Sequence, residues 1–294
     1  MNRRDFLAAA VAAACLRDPS PAAPLTLVDA HVHVWETSPQ FPFAPGATVP
    51  PHLDASADTL LEKMRSNGIA RTVLIQVIHY KWDNRYLVSV LHAHPDKFAG
   101  VCRVNPEDPA APDHLSYWTQ QGCRGVRLSP AGNASGDWIR GPLMHPLWQR
   151  CESLKVPMTL LLPVSRLPDI VPLLEKFPAL PTVIDHMADC PVDDPHSFRL
   201  LQSLARYPQL FIKVSHPWSL SGQPFPYPNV MTMIARLRDA YTADRLMWGT
   251  DWPIKPELLS YEQRVALYRD HMPFLSPAEH QQLLSGTATR VWPA

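Results

Sequence analysis

Glycine is scarce in this chain, with 11 residues in 294 against 33 prolines. No GxGxxG or GxxxxGK loop follows any apolar run, so the glycine-rich turns that cradle phosphates in dinucleotide and nucleoside-triphosphate sites are missing. An excess of one charge is missing too. The 27 basic residues balance 27 acidic ones, and no basic cluster is available to neutralise a series of phosphates, which argues against nucleic acid as a partner. The five cysteines show no CxxC spacing, so a sulfur-ligated zinc is not expected. Cys102, Cys123, Cys151 and Cys190 are expected as buried thiols rather than disulfides. No GxSxG nucleophile elbow is present, which disfavours a covalent acyl-enzyme. The prolines crowd the connections between apolar runs, notably Pro39 to Pro51, where fixed φ angles stiffen loops without breaking strands.

The first residues stand apart. NRRDFL at Asn2 to Leu7 and the alanine-rich run through Leu16 resemble a twin-arginine export signal, too short to span a bilayer as a mature helix. Residues 1–24 are therefore expected to engage the twin-arginine export machinery and be cleaved near Ala22 and Ala23, delivering a periplasmic protein with no stable membrane span. Lipidation at Cys15 is the lesser alternative, because Ala12 to Ala14 match poorly the bulky residue usual before such a cysteine.

From residue 25 onward, eight short apolar runs recur: Leu25 to Val34, Ala70 to Ile78, Ala99 to Val104, Gly122 to Leu128, Pro157 to Leu162, Pro181 to Met187, Leu210 to Val214 and Leu246 to Trp252. Stretches of helical periodicity lie between them, for example Ser56 to Asn67, Asn84 to His94, His145 to Leu154 and Val230 to Tyr241. Strands apolar on both faces and alternating with helices imply a covered parallel sheet, and eight repeats are what a single α/β domain of the (β/α)8 TIM-barrel class requires, spanning 25–294. A doubly wound open sheet is the runner-up.

In such a barrel the reactive groups gather where strands end. The first run ends in His31 and His33, which strand alternation points to one side. Arg127 lies on the fourth run, Asp185 and His186 end the sixth, Lys213 and His216 end the seventh, and Asp251 ends the eighth. Barrel closure sets strand 8 beside strand 1, so Asp251 is expected to face the His31/His33 pair. Gln76, His79, Tyr80, Trp82 and Asn84 follow strand 2 and either line a pocket or cap the barrel. Asp29, two residues before His31, is expected to share its face and orient an imidazole, with a solvated barrel residue as the alternative. Lys213 and His216 can both point inward only if the strand ends between them.

DAHVHVWE, VLIQVIHYKWDNRYL, GVRL, VIDHM, IKVS and WGTDWP, in this order, resemble the amidohydrolase-related branch of the amidohydrolase superfamily, specifically its lactonase group. The resemblance implies that Asp251 activates a hydrolytic water and that His31, His33 and His186 either ligate a metal or polarise the substrate carbonyl. It also implies that Arg127 holds an anionic group of the substrate. Gln76, His79, Tyr80, Asn84, Lys213, His216 and Trp252 complete the expected substrate-binding set, and the substrate is expected to be an anionic or sugar-like lactone. There are departures. Strand 5 reads PMTLLLP, without the metal-binding histidine of many relatives, strand 4 offers Arg127 in place of a bridging lysine, and His216 stands where relatives carry glycine. A binuclear centre is thus not expected. One zinc on His31, His33 and Asp251 is one reading, and hydrolysis without a tightly bound ion is the favoured one. A zinc-dependent nonoxidative decarboxylase and a non-catalytic binding barrel are the alternatives. The first would need a histidine on strand 5, and the second would predict loss of Asp251 or of the histidine pair.

Overall fold

Residues 26–47, 53–129 and 138–293 are described in the computed structural model of this protein. Residues 1–24, expected to be an export signal, lie outside them. Eight parallel strands form one sheet in chain order, each hydrogen-bonded to the next: β1 (Leu27–Val32), β2 (Ile69–Ile75), β3 (Phe98–Cys102), β4 (Cys123–Leu128), β5 (Met158–Leu160), β6 (Thr182–Ile184), β7 (Leu210–Lys213) and β8 (Leu246–Met247). A parallel bridge between Val32 and Trp252 closes the sheet into a (β/α)8 barrel. Among the connecting helices are α1 (Ala57–Asn67), α2 (Arg85–Ala93), α3 (Ala111–Gln120), α4 (Met144–Leu154), α5 (Leu167–Lys176), α6 (Pro195–Ser203), α7 (Pro217–Leu220), α8 (Pro228–Tyr241), α9 (Tyr261–Asp270), α10 (Pro277–Gln281) and α11 (Thr287–Val291). Local chemistry sets their ends. The Ser56 hydroxyl accepts from the Thr59 N–H to start α1, and Gly68, at φ 69°, stops it.

Strand alternation sorts the apolar residues into two layers. Val28, Ala30, Val73, Ile75, Ala99, Val101, Val183, Phe211 and Met247 fill the barrel interior, and Trp292, just beyond α11, packs with them. Leu27, Val32, Leu74, Cys102, Val126, Leu160 and Ile212 face the helices. Cys102, Cys123, Cys151 and Cys190 are free and buried, as expected. Among the described residues, no helix is long and apolar enough to cross a membrane.

The closing seam is unusual, because β8 contributes only two residues to the ladder. Three backbone bonds beyond it complete the closure: Ala30 N–H to Trp248 O at 3.2 Å, Asp251 N–H to His31 O at 2.8 Å, and His33 N–H to Trp252 O at 2.8 Å. The close approach depends on Gly249, where a Cβ would lie 2.6 Å from His31 Cβ and 2.9 Å from its backbone nitrogen. Asp29 fastens the same seam. Its Oδ1 accepts from the Thr250 N–H at 2.9 Å and the His31 N–H at 3.2 Å, and its Oδ2 accepts from the Thr250 hydroxyl at 2.6 Å and Tyr261 at 3.3 Å. Asp29 therefore does not orient an imidazole, contrary to the expectation from spacing. The pairing of β1 slips between Asp29 and Val32, and this irregularity turns Asp29 toward α9 while His31 points inward.

Burial raises the Asp29 carboxyl to about 6, against hydrogen bonds from Thr250, His31 and Tyr261 that lower it. The native state thus holds this proton more tightly than the unfolded chain, whose ordinary value is 3.8. The associated stability is complete below that value and is lost as pH rises through about 6. Asp29→Ala is expected to lower unfolding stability by at least about 2 kcal/mol through orphaned buried donors. Asp29→Asn is expected to gain on the wild type as pH rises across that window. Urea unfolding of the three proteins at several pH values checks both, and parallel pH profiles for wild type and Asp29→Asn would refute the assignment.

Candidate active site

Three of the side chains at the C-terminal mouth sit on left-handed backbone without being glycine. His186 opens a run of four such residues, with φ 51°, 55°, 57° and 48° through Asp189, while His216 lies at 64° and Asp251 at 54°. Each such position costs on the order of 1 kcal/mol or more and persists only where surrounding contacts fix it. Arg264 on α9 supplies part of that fixation. It is buried and donates five hydrogen bonds to the carbonyls of Leu259, Thr250, Asp251, Ile254 and Lys255, gripping the loop that carries Asp251. Its sequence position, outside every apolar run, gave no hint of this.

Around Asp251 the donors converge. Oδ1 lies 3.4 Å from His31 Nε2 and 3.4 Å from His33 Nε2, which are 3.3 Å from each other, and Oδ2 lies 3.5 Å from His216 Nδ1. His33 Nδ1 donates to the Ile75 carbonyl at 2.8 Å, which orients the ring with Nε2 toward Asp251. His186 Nδ1 meets the Ser215 hydroxyl at 2.8 Å, and its ring lies 4.6 Å from that of His31. Behind these, Asp185 gathers charge from three strands: Arg127 Nε at 2.7 Å, Lys213 Nζ at 3.1 Å and His31 Nδ1 at 3.3 Å. The strand does end between Lys213 and His216, so both point inward.

Burial and charge decide the protonation states. For Asp251, burial opposes ionisation, but His186, the hydrogen bond of His33, His31 and His216 together hold the carboxyl well below the usual range. Asp185 behaves likewise, with Lys213, His31 and Arg127 outweighing burial. Burial lowers His186 to about 3, and burial with the nearby Lys213 charge pushes His31 well down, so both rings are neutral near pH 7. Burial raises Asp189.

A cavity of about 250 Å³ opens above Asp251, lined by His33, Val77, Ile78, His79, Arg127, Leu161, His186, Asp189, His216, Asp251 and Ile254. His33, His79, Arg127, His186, His216 and Asp251 are thus brought together, with His31 directly behind them. Gln76, Tyr80, Asn84, Lys213 and Trp252 are not among the lining residues. Gln76 donates to the Asp83 carbonyl, Tyr80 to the Glu36 carbonyl, and Asn84 to the Trp82 and Arg103 carbonyls, so these three brace loops. Lys213 is fully buried on Asp185, and Trp252 is held in the seam against Tyr261. Leu161 reaches the cavity from the end of the fifth apolar run, and Asp189 and Ile254 reach it from loops whose course no periodicity announces.

The donor set fits one divalent cation. A tetrahedral site with metal–ligand bonds of about 2.0–2.1 Å has edges of about 3.3–3.4 Å, and the 3.3, 3.4 and 3.4 Å triangle of His31, His33 and Asp251 matches one face of it. The proton on His31 has two placements. With Nδ1–H donating to Asp185, Nε2 is a lone pair and the triangle is open to a cation. With the Lys213 ammonium donating to Nδ1 at 3.2 Å, Nε2–H itself fills the triangle.

A parallel eight-stranded barrel that brings imidazoles from strands 1 and 6 to a carboxylate after strand 8 defines a barrel hydrolase of the water-activating kind. The chain belongs to the amidohydrolase family, which it matches over residues 28–294. It is 31% identical over 287 residues to 2-pyrone-4,6-dicarboxylate hydrolase of Comamonas testosteroni, covering 92% of this chain and 91% of that protein. Against L-fucono-1,5-lactonase of Burkholderia ambifaria it is 28% identical over 77% of this chain and 80% of that one. A crystal structure described as a putative 2-pyrone-4,6-dicarboxylic acid hydrolase from Pseudomonas putida superposes with a TM-score of 0.79 at 28% identity, covering 91% and 97% of the two chains.

Calorimetric titration of the purified protein with Zn²⁺ is expected to show one ion per chain, and His33→Asn is expected to abolish that binding. Undiminished stoichiometry in His33→Asn would place the ion elsewhere.

Proposed function

We propose that this chain is a lactone hydrolase in which Asp251 activates the attacking water directly. The observation that carries the reading is the Asp251 carboxylate lining the cavity, one oxygen set against two imidazoles and the other toward His216. The relatives named as lactonases and lactone hydrolases support the substrate class. The cavity suits one small ring with its substituents rather than a polymer.

Asp251 accepts a proton from water as the oxygen attacks the lactone carbonyl. The same contacts that keep this carboxylate ionised make it a weak base, so it cannot carry the rate alone. General base catalysis supplies about 10²- to 10⁴-fold, and a well-placed oxyanion donor about 10²- to 10³-fold more. His186 is suited to the second part. When the Ser215 hydroxyl donates to Nδ1, Nε2 carries the proton and can donate to the developing oxyanion. A divalent ion on His31, His33 and Asp251, when bound, supplies Lewis-acid polarisation of the same carbonyl. As the ring opens, the proton held by Asp251 passes to the departing oxygen. Arg127, on the cavity wall, holds an anionic substituent.

Asp251→Asn keeps the shape and removes the proton acceptor. It is expected to lower kcat by at least about 10²-fold on a panel of five- and six-membered lactones, with unchanged circular dichroism. Turnover at the wild-type rate would remove Asp251 as the base.

We further propose that residues 1–24 direct the folded precursor to the periplasm. N-terminal sequencing of periplasmic protein is expected to begin near residue 24, and an intact Met1 on a cytosolic product would refute export.

A further inference from the structure

Lys213 is fully buried, and its ammonium carries three hydrogens that water cannot reach to satisfy. Two directions around Nζ are taken by polar groups: it pairs with Asp185 Oδ1 at 3.1 Å and meets His31 Nδ1 at 3.2 Å. No third oxygen or nitrogen partner stands beside it among the described residues. What does stand there is the indole of Trp292, with Nζ over the ring and 5.1 Å from its centre. That distance lies within the range of about 6 Å over which an aromatic face attracts a cation, and the attraction is strongest where water is absent.

Trp292 comes from outside the strands, and its placement is fixed by its backbone. Its N–H donates to the Ala288 carbonyl at 2.9 Å, and Arg71, near the start of β2, donates to the carbonyls of Trp292 at 2.7 Å and Pro293 at 2.8 Å. The ring therefore enters the barrel interior from the end opposite the cavity, where it packs with Val28, Ala30 and Val101 and is 0% exposed. Its own N–H has no partner among the described residues, so no hydrogen bond of the indole sets where the ring lies. Gly125 makes room for it: a Cβ there would lie 2.9 Å from Trp292 Nε1.

We propose that Trp292 is a positioning residue of the active site: its indole face takes the third side of the Lys213 ammonium and holds it against Asp185 and His31. That the contact serves lactone hydrolysis rests on the function proposed above; the contact itself does not. Without the face, one ammonium hydrogen is left unmatched in the barrel interior, and Lys213 shifts away from the two groups it steadies. Asp185 keeps Arg127 Nε at 2.7 Å in that event, so the layer loosens without collapsing and the effect is graded. His31, which lies between Lys213 and Asp251, passes the displacement to the carboxylate.

Substitutions at Trp292 separate the face of the ring from its bulk. Trp292→Phe keeps an aromatic face and is expected to retain most of kcat. Trp292→Leu is expected to lower kcat by about 3- to 30-fold, the span of a desolvated cation–π contact expressed as a rate. KM is expected to change by less than about twofold, because Trp292 does not line the cavity. In a Lys213→Met background, adding Trp292→Leu is expected to lower kcat no further. In the ¹H–¹⁵N spectrum the Lys213 ammonium is expected upfield in wild type, under the ring current of the indole, and to move downfield in Trp292→Leu. Should Trp292→Leu fail to fold, Gly125→Ala replaces it, since the added Cβ displaces the indole while leaving it in the chain, and the same signal shift and loss of kcat are expected. Equal loss of kcat in Trp292→Phe and Trp292→Leu, additive losses with Lys213→Met, or an unmoved Lys213 signal would overturn the assignment. A Lys213 signal that moves in Trp292→Leu but stays in Trp292→Phe, in a protein that opens no lactone, would instead retain the contact and remove the lactonase reading.

Discussion

The seam between the eighth and first strands is the constraint on which the site depends. An eight-stranded barrel must close, and here β8 supplies only two ladder residues, so closure falls to the backbone around His31, His33 and Asp251 themselves. The bond from the Asp251 N–H to the His31 carbonyl fixes the backbone of carboxylate and imidazole relative to each other before any side chain is considered. Gly249 permits the approach, and Asp29 with Thr250 pins it from the helix side. The geometry of the site is therefore a by-product of completing the fold, and the site cannot loosen without opening the barrel.

Electrostatics in the same layer follow from which groups find partners. Asp185 and Asp251 are both buried, a condition that favours the neutral acid, yet cations and imidazoles around them win and both stay ionised. His31 and His186 are equally buried and touch those carboxylates, yet burial wins for them, aided at His31 by the ammonium of Lys213. Fixed cations are the difference. Lys213 and Arg127 neutralise Asp185, which leaves the imidazoles no need to carry charge. Neutral rings with available lone pairs and an ionised carboxylate are what both water activation and cation binding require.

Much of this was legible in the sequence, for reasons that can be named. Eight apolar runs separated by helical periods specified the barrel, and alternation along HVH specified two imidazoles on one side. Strand order then carried Asp251 to them. What failed depended on local geometry that period counting cannot register. Asp29 was assigned to the wrong face because the β1 register slips after it. Gln76, Tyr80 and Asn84 follow a strand end as pocket residues do, but polar side chains there can equally satisfy loop backbone, and these do. The left-handed turn from His186 to Asp189 contains no glycine to announce it. Helix α9 was missed because its buried face includes Arg264, a residue that periodicity reads as solvent-facing.

That last residue shows how strain at the mouth is held. Asp251 and His216 adopt backbone conformations that glycine would fill at less cost, and the chain keeps ionisable side chains there instead. The guanidinium of Arg264 binds the carbonyls of Thr250, Asp251, Ile254 and Lys255, on both sides of the strained residue, and stacks on Trp218, which in turn lies against His216. A single buried arginine thus connects the two strained loops through contacts to backbone and ring, not to the reacting groups. Its own charge is dispersed over carbonyl dipoles, so it stabilises the Asp251 loop without competing for the Asp251 carboxylate. The carboxylate oxygens remain directed at the histidines and the cavity rather than at the Arg264 guanidinium.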